Sequence, residues 1–247
     1  MTSTTTATVD IDLGGRTVAV PKGGLFDRYR MDTPLDEVAN DPRVPGVDFF
    51  RTLPKTEVQS PIGPTRTPNF YYAMSSARLT MLAPSRAIRR RIPRELAPLE
   101  IAPGLGLVSV MLFRYDVCDI DFYTEAAVGV AVRPARNGGI GTAVADVDIA
   151  FSAPTPKQTA FTSGEKVSTL TSYTQRDGAW HSTLNQTNVL SGGGTRFPRD
   201  IDLTIGDGRM ADELRALKPL RAIAFDVNTS AQAALHMPVP VSVRRDA

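Results

Sequence analysis

With 247 residues, a formal net charge of +2 and 42% hydrophobic residues, the chain is long enough to bury one substantial core. So small a charge gives no reason to expect nucleic acid or an anionic membrane as partner, and no apolar run is long enough to cross a bilayer as a helix. One cysteine, Cys118, and two histidines, His181 and His236, exclude an intramolecular disulfide and a multi-cysteine metal centre. No HExxH spacing, GxSxG elbow, P-loop or GxGxxG turn occurs, so neither a metal nor a cofactor is expected. The N-terminus lacks a secretory apolar segment, which makes the cytoplasm the expected location.

Residues 1–15 open with a Thr-rich tract too polar to pack and are expected to form a mobile tail. Residues 16–65 are rich in Pro, Asp and Arg with scattered apolar side chains, the composition of an arm that wraps a larger body. Within the arm, Thr33 is expected to cap a helix that has Pro34 in its first turn and Asp36 and Glu37 near its positive end. Residues 66–247 read as a single β domain. Phe70–Met81 alternates as a strand, with Tyr71, Ala73, Ser75, Ala77, Leu79 and Met81 on one side. Ser85 is placed to cap a short helix that buries Ile88 and Ile92 and solvates Arg86, Arg89, Arg90, Arg91 and Arg94. Leu107–Tyr115, LVSVMLFRY, is a near-continuous apolar run expected to lie centrally, beside the strand that follows.

That strand, DFYTEAAVGVAVRP from Asp121 to Pro134, separates two faces by its period of two. Phe122, Thr124, Ala126, Val128, Val130 and Val132 form the expected core face. Tyr123, Glu125, Ala127, Gly129, Ala131 and Arg133 form the other, where a carboxylate beside a phenol is followed by residues with almost no side chain. A glutamate in an apolar strand is costly to bury unpaired, so it belongs either in a hydrogen-bonded cavity or at an exposed strand end.

Further strands are expected at Thr142–Phe151, with Asp146 and Asp148 on one side, at Lys166–Tyr173, and at Ala179–Leu190 after a turn at Arg176-Asp177-Gly178. Ser191–Gly194 reads as a loop. Met210, Leu214 and Leu217 have helical spacing, and Leu220–Val227 and His236–Val243 are the last strand candidates. Many strands, few helices and no βαβ alternation predict a mostly β, antiparallel barrel or sandwich. Arg78, Arg114 and Arg133 sit in apolar strands, where a guanidinium must find a partner or hold a substrate carboxylate. His181 is a candidate base or substrate contact.

The succession SARLTML, IPRELAPLEI, a long apolar strand and FYTEAAVGVAV resembles the acetoacetate decarboxylase superfamily, most clearly over about Asn69 to Pro134. The resemblance implies a double-layered antiparallel β-barrel with a few short helices, a buried pocket and a homo-oligomer. It also implies that the Tyr-x-Glu acid, here Tyr123 and Glu125, faces the pocket. The family's Gly-Arg-Glu-x-x-Gly-aromatic-Pro-Lys segment, whose lysine forms a Schiff base, aligns with SGEKVSTLTSY and places Thr171 or Ser172 at the lysine, neither of which can form an imine. The position of a second family acid falls on Val110. These departures lead to an expected cyclase or lyase of secondary metabolism that acts without an imine on an apolar, carbonyl- or carboxylate-bearing small molecule. Cyclisation of a cycloaddition type, dehydration or enolisation of a polyketide-like intermediate would suit it. Glu125 and Tyr123 are the expected catalytic groups; Arg78, Arg114, Tyr71 and His181 are expected to bind substrate. Two alternatives stay open: a Schiff-base decarboxylase or aldolase-dehydratase using Lys166, and a non-catalytic ligand-binding protein.

Overall fold

The computed structural model describes residues 7–12, 15–23, 27, 29–30, 32–60, 63–92, 94, 96–134, 143–145, 166–176, 179–196, 203–237 and 239–240, the backbone alone from 143 to 196 and at 239–240. In chain order the elements are β1 (Thr8–Asp12), β2 (Thr17–Pro21), α1 (Leu35–Ala39), α2 (Asp48–Arg51), β3 (Thr56–Ser60), β4 (Gly63–Thr67), β5 (Asn69–Pro84), α3 (Ser85–Arg89), β6 (Leu96–Pro98), β7 (Leu105–Cys118), β8 (Tyr123–Pro134), β9 (Ala143–Ala145), β10 (Lys166–Arg176), β11 (Ala179–Arg196), α4 (Arg209–Leu217), β12 (Ala222–Leu235) and β13 (Val239–Pro240). The fold is mostly β, as expected. One sheet runs β10-β9-β8-β7-β5-β12-β11-β13, with β6 on β8 and β10 also paired to β11. Among the described residues no closed barrel is detected. A barrel needs a continuous ladder all round, and β9 offers β8 and β10 only three residue pairs each.

The long strands keep one side of this sheet dry. Leu79 and Met81 of β5, Val108 of β7 and Val128, Val130 and Val132 of β8 pack beneath Ile88, Ile92, Leu214 and Leu217. The helices α3 and α4 are thus the lid of the core, and the expected burial of Ile88 and Ile92 holds. Gly106 on β7 is tight for the same reason, since a Cβ there would stand 2.6 Å from Ile88 Cδ1.

Several local expectations need correction. Pro84 and Pro34 occupy the N-cap positions of α3 and α1, so neither Ser85 nor Thr33 caps by its side chain. Phe122, Thr124 and Ala126 are exposed although they share a side with the buried valines, because α3 and α4 cover only the far half of the sheet. The 1–15 tail is not uniformly unstructured, since β1 lies inside it and pairs with β2 across the boundary drawn at residue 15. Ser191–Gly194 is not a loop but part of β11, paired with β12 beyond a register shift. The Arg176–Ala179 pair closes the expected hairpin. Asp146 and Asp148 lie outside the described residues.

Residues from the arm and the body meet around one acid. Lys55 Nζ stands 2.7 Å from Asp119 Oδ2, their side chains 7% and 1% exposed. The Phe70 amide donates to the same oxygen at 2.7 Å, and the Tyr72 hydroxyl donates to Oδ1 at 2.8 Å. Burial pushes the Asp119 carboxyl above its ordinary value, while Lys55, the Phe70 amide and Tyr72 pull the other way. Phe50 of α2 packs on Phe70 and Tyr72 alongside, so the ion pair sits in an aromatic setting where an unpaired charge is expensive. Lys55→Met should therefore cost about 3 kcal/mol in urea unfolding, and adding Asp119→Asn should recover at least half of the loss. A single variant as stable as the parent would show that the pair does not hold the arm.

Candidate functional site

Directly paired residues of neighbouring antiparallel strands share a face, so the register fixes what accompanies Glu125. Glu125 pairs with Phe113, Phe113 with Ser76, and Ser76 with Asn228. One step toward the β7 C-terminus the row is Tyr123, Tyr115, Met74 and Ala231. One step the other way it is Ala127, Met111, Arg78 and Asp226, and then Gly129, Ser109, Thr80 and Ala224. This is the face opposite the valines, and its small-residue stretch along β8 is the one seen in the sequence.

At one end of the face three phenols cluster. Tyr115 lies between Tyr71 and Tyr123, its ring centroid 4.6 and 4.4 Å from theirs. The Tyr71 and Tyr123 hydroxyls are hydrogen-bonded at 3.0 Å, and Tyr115 donates to Glu125 Oε2 at 3.2 Å. Desolvation, reinforced by the neighbouring phenols and carboxylate, pushes all three tyrosines far above their ordinary value. They remain protonated in the neutral range and serve as hydrogen-bond donors, which leaves the carboxyl of Glu125 as the proton acceptor of the cluster.

The remaining polar groups of the face are paired. Arg78 donates to Asp226 Oδ2 from Nε at 2.9 Å and from Nη2 at 2.6 Å. Asn228 Nδ2 donates to Ser76 Oγ at 3.3 Å, and the Thr80 and Ser109 hydroxyls are 3.1 Å apart. No group of three or more potential metal ligands converges among the described residues.

Of the residues singled out in the sequence, Glu125, Tyr123 and Tyr71 come together, and Arg78 shares their face. Arg114 does not. It pairs with Thr124 and Ser75 on the opposite side and is salt-bridged to Asp116 at 2.7 Å, so the alternation of β7 removes it from the site. His181 and Lys166 lie on β11 and β10, with Lys166 opposite Val189; their side chains fall outside the described residues. Tyr115 was missed, although its place two residues beyond Phe113 and four beyond Met111 marks it as their face-mate. Asp226, Asn228 and Ser76 were missed because only the β5–β12 register reveals them.

A cleft of about 290 Å³ lies elsewhere, where Arg30, Glu37 and Asp41 of the arm meet Tyr72, Cys118 and Asp119. Its flanking charges are matched, Arg30 with Glu37 at 2.7 Å and Arg43 with Asp41 at 2.6 Å, and burial pushes the Cys118 thiol up to about 12. The thiol is therefore no nucleophile at neutral pH.

The phenol cluster makes a measurable prediction. A phenol whose pKa is raised by folding contributes stability that is complete below the unfolded value near 10 and is lost as pH rises above it, since only the unfolded chain ionises readily. Tyrosinate absorbance should thus lag that of free tyrosine and appear together with loss of the far-ultraviolet β signal. Full ionisation at pH 10–11 in a folded protein would contradict the burial of Tyr71 and Tyr115 and the partial burial of Tyr123.

No family model and no curated protein matches the sequence. Among solved structures, an acetoacetate decarboxylase aligns at 13% identity and a TM-score of 0.46, over 76% of this chain and 96% of that one. The acetoacetate decarboxylase of Legionella pneumophila aligns at 10% identity and 0.45, over 87% and 98%. MppR, an enduracididine biosynthesis enzyme, aligns at 14% identity and 0.40, over 71% and 88%. The first two bear the name of the family that FYTEAAVGVAV resembles. At such identities and TM-scores residue roles do not transfer, so the roles proposed below rest on the geometry of this chain.

Proposed function

We propose that the protein is a cytoplasmic small-molecule enzyme that moves a proton on an apolar, carbonyl-bearing metabolite without forming an imine. The observation that carries this reading is one sheet face that joins a carboxylate to a cluster of buried, protonated phenols, with Phe113, Met74 and Met111 supplying apolar contact. Glu125 takes the proton from the carbon next to the carbonyl, and the electron pair moves onto the carbonyl oxygen. A phenol, Tyr123 in the first place, donates a hydrogen bond to that oxygen as its charge grows. The enolate then captures an electrophilic carbon of the same molecule, expels a hydroxyl as water, or takes the proton back. Ring closure, dehydration and enolisation of a polyketide-like intermediate in secondary metabolism are the three outcomes of that one step.

The four rows formed by β8, β7, β5 and β12 contain no lysine; the imine alternative rests on Lys166 of β10, outside these rows. A closed double-layered barrel, with β9 and β10 as its seam, belongs to this reading. So does a homo-oligomer, for which Leu112 and Phe122, each 55% exposed on the outer face of the sheet, supply apolar contact surface.

Exchange of the α-protons of nonan-2-one into D2O, followed by NMR, tests the proton transfer directly. Glu125→Gln should slow the catalysed exchange by about a hundredfold or more, and borohydride with the same ketone should leave no adduct on the protein by mass spectrometry. An adduct on Lys166 would establish the imine alternative. Exchange that survives Glu125→Gln combined with Tyr123→Phe would remove the proposed groups from the chemistry.

A further inference from the structure

We infer that the outer surface of α3 and α4 is a docking site for a second protein that presents an acidic, amphipathic helix. The two helices roof the valine side of the sheet and turn Ile88, Ile92, Leu214 and Leu217 into the core. What they show to solvent is strongly basic. Residues 85–94, SRAIRRRIPR, hold five arginines and no acid. Together with residues 207–221 they carry nine cations against three acids, although the net charge of the whole chain is only +2. The excess is therefore local, and the rest of the molecule is net acidic.

The acids of this surface are already taken. Arg91 donates to Glu213 Oε2 at 2.6 Å and so ties one helix to the other, while Arg215 is bridged to Asp212 at 2.9 Å and to Asp207 at 3.6 Å. Arg89 is engaged as well, donating to the carbonyls of Ile92 and Leu96. Arg86, Arg90, Lys218 and Arg221 are exposed and form no ion pair among the described residues. The Leu220 amide donates to the Leu82 carbonyl at 2.8 Å, and the Leu82 amide to the Arg221 carbonyl at 2.9 Å. Leu82 lies three residues before α3 begins, so Lys218, Leu220 and Arg221 stand within about 15 Å of the start of that helix. Leu220 is 60% exposed.

Spare cations around an exposed leucine match carboxylates interleaved with apolar side chains. Nucleic acid fits less well, because its bases would find no ring to stack on: neither segment contains Phe, Tyr or Trp. The same lack denies an anionic membrane the aromatic residues that seat a surface helix among lipid headgroups. The helices lie across the sheet from Glu125, which faces away from the valines. A partner held here does not touch the proton-transfer site, and its binding is independent of that chemistry.

The probe is a fluorescein-labelled amphipathic peptide of about four helical turns, glutamates on one face and leucines on the other, compared with its glutamine-for-glutamate counterpart, duplex DNA and phosphatidylglycerol vesicles. By fluorescence anisotropy at low salt the acidic peptide should bind the full chain at least about tenfold more tightly than the glutamine peptide. Arg86→Gln, Arg90→Gln and Arg221→Gln together, checked for folding by circular dichroism, should remove most of that difference. Leu220→Ala alone should weaken binding by about threefold or more. Changing Arg30, Arg51 and Arg66 of the arm to Gln takes away the same charge and should alter binding by less than about twofold. Equal binding of the two peptides would overturn the inference, as would equal losses in the arm and helix variants. Tighter binding of DNA or vesicles, indifferent to Leu220→Ala, would reassign the surface to phosphates. A dimer in sedimentation velocity that the helix variant dissociates would give the surface to a second copy of this chain and reject the foreign partner.

Discussion

The register of β8 against β7 decides which way the side chains of the candidate site point. Val128, Val130 and Val132 are buried under α3 and α4, and each contributes about 1.5 kcal/mol or more by leaving water. Slipping β8 by one residue would expose all three and bury Arg133 and Glu125 under the helices. The aggregate gain from the valines exceeds the cost of half-burying one carboxylate that accepts a phenol hydrogen bond. Glu125 faces the phenols because the valines must face the helices. The site therefore inherits its geometry from the core, with no separate device needed to aim the acid.

Two acids six residues apart in the same hairpin illustrate how surroundings set chemistry. Asp119 meets an ammonium, an amide and a hydroxyl at hydrogen-bonding distance, an arrangement that fixes the carboxyl as a structural tie between Lys55 and β5. Glu125 takes a hydrogen bond from a neutral phenol, Tyr115, and leans on a strand that continues into Ala127 and Gly129. One carboxylate is enclosed by its partners, and the other shares its face with Phe113 and Met111. The difference is one of neighbours, since both side chains come from the β7–β8 region and both are drawn out of bulk water.

Much of this was legible in the sequence. The alternation of FYTEAAVGVAV gave the face of Glu125 and Tyr123, LVSVMLFRY gave the adjacent strand, and the helical spacing of Leu214 and Leu217 gave part of the core lid. Period and composition are local properties, and they survived. What failed was what depends on partners distant in sequence. Arg78 reads as a guanidinium in need of a partner or a substrate carboxylate until β12, almost 150 residues on, brings Asp226 to it. The β11 glycines read as a loop until β12 supplies a ladder for them. Phe122 reads as core until the helices are seen to stop short of it. Arg114 is the instructive exception, because its own parity with Tyr115 already placed it on the other face, and only its basic character suggested otherwise.

The charge states on the face constrain the reaction. The phenols hold their protons through the neutral range, and Arg78 is ion-paired with Asp226 at 2.6 Å. In the proton-transfer reading proposed above, Glu125 is the group that takes up and returns the proton. A site with one proton shuttle and fixed donors returns to its starting state only if the substrate takes back the proton it gave, or loses it with a leaving hydroxyl. Decarboxylation makes a different demand: the electron pair left by carbon dioxide needs a strongly electron-withdrawing sink, and the imine that usually supplies one requires an amine. The rows of β8, β7, β5 and β12 around Glu125 contain no lysine, and the rearrangement proposed above, unlike decarboxylation, makes no demand for one.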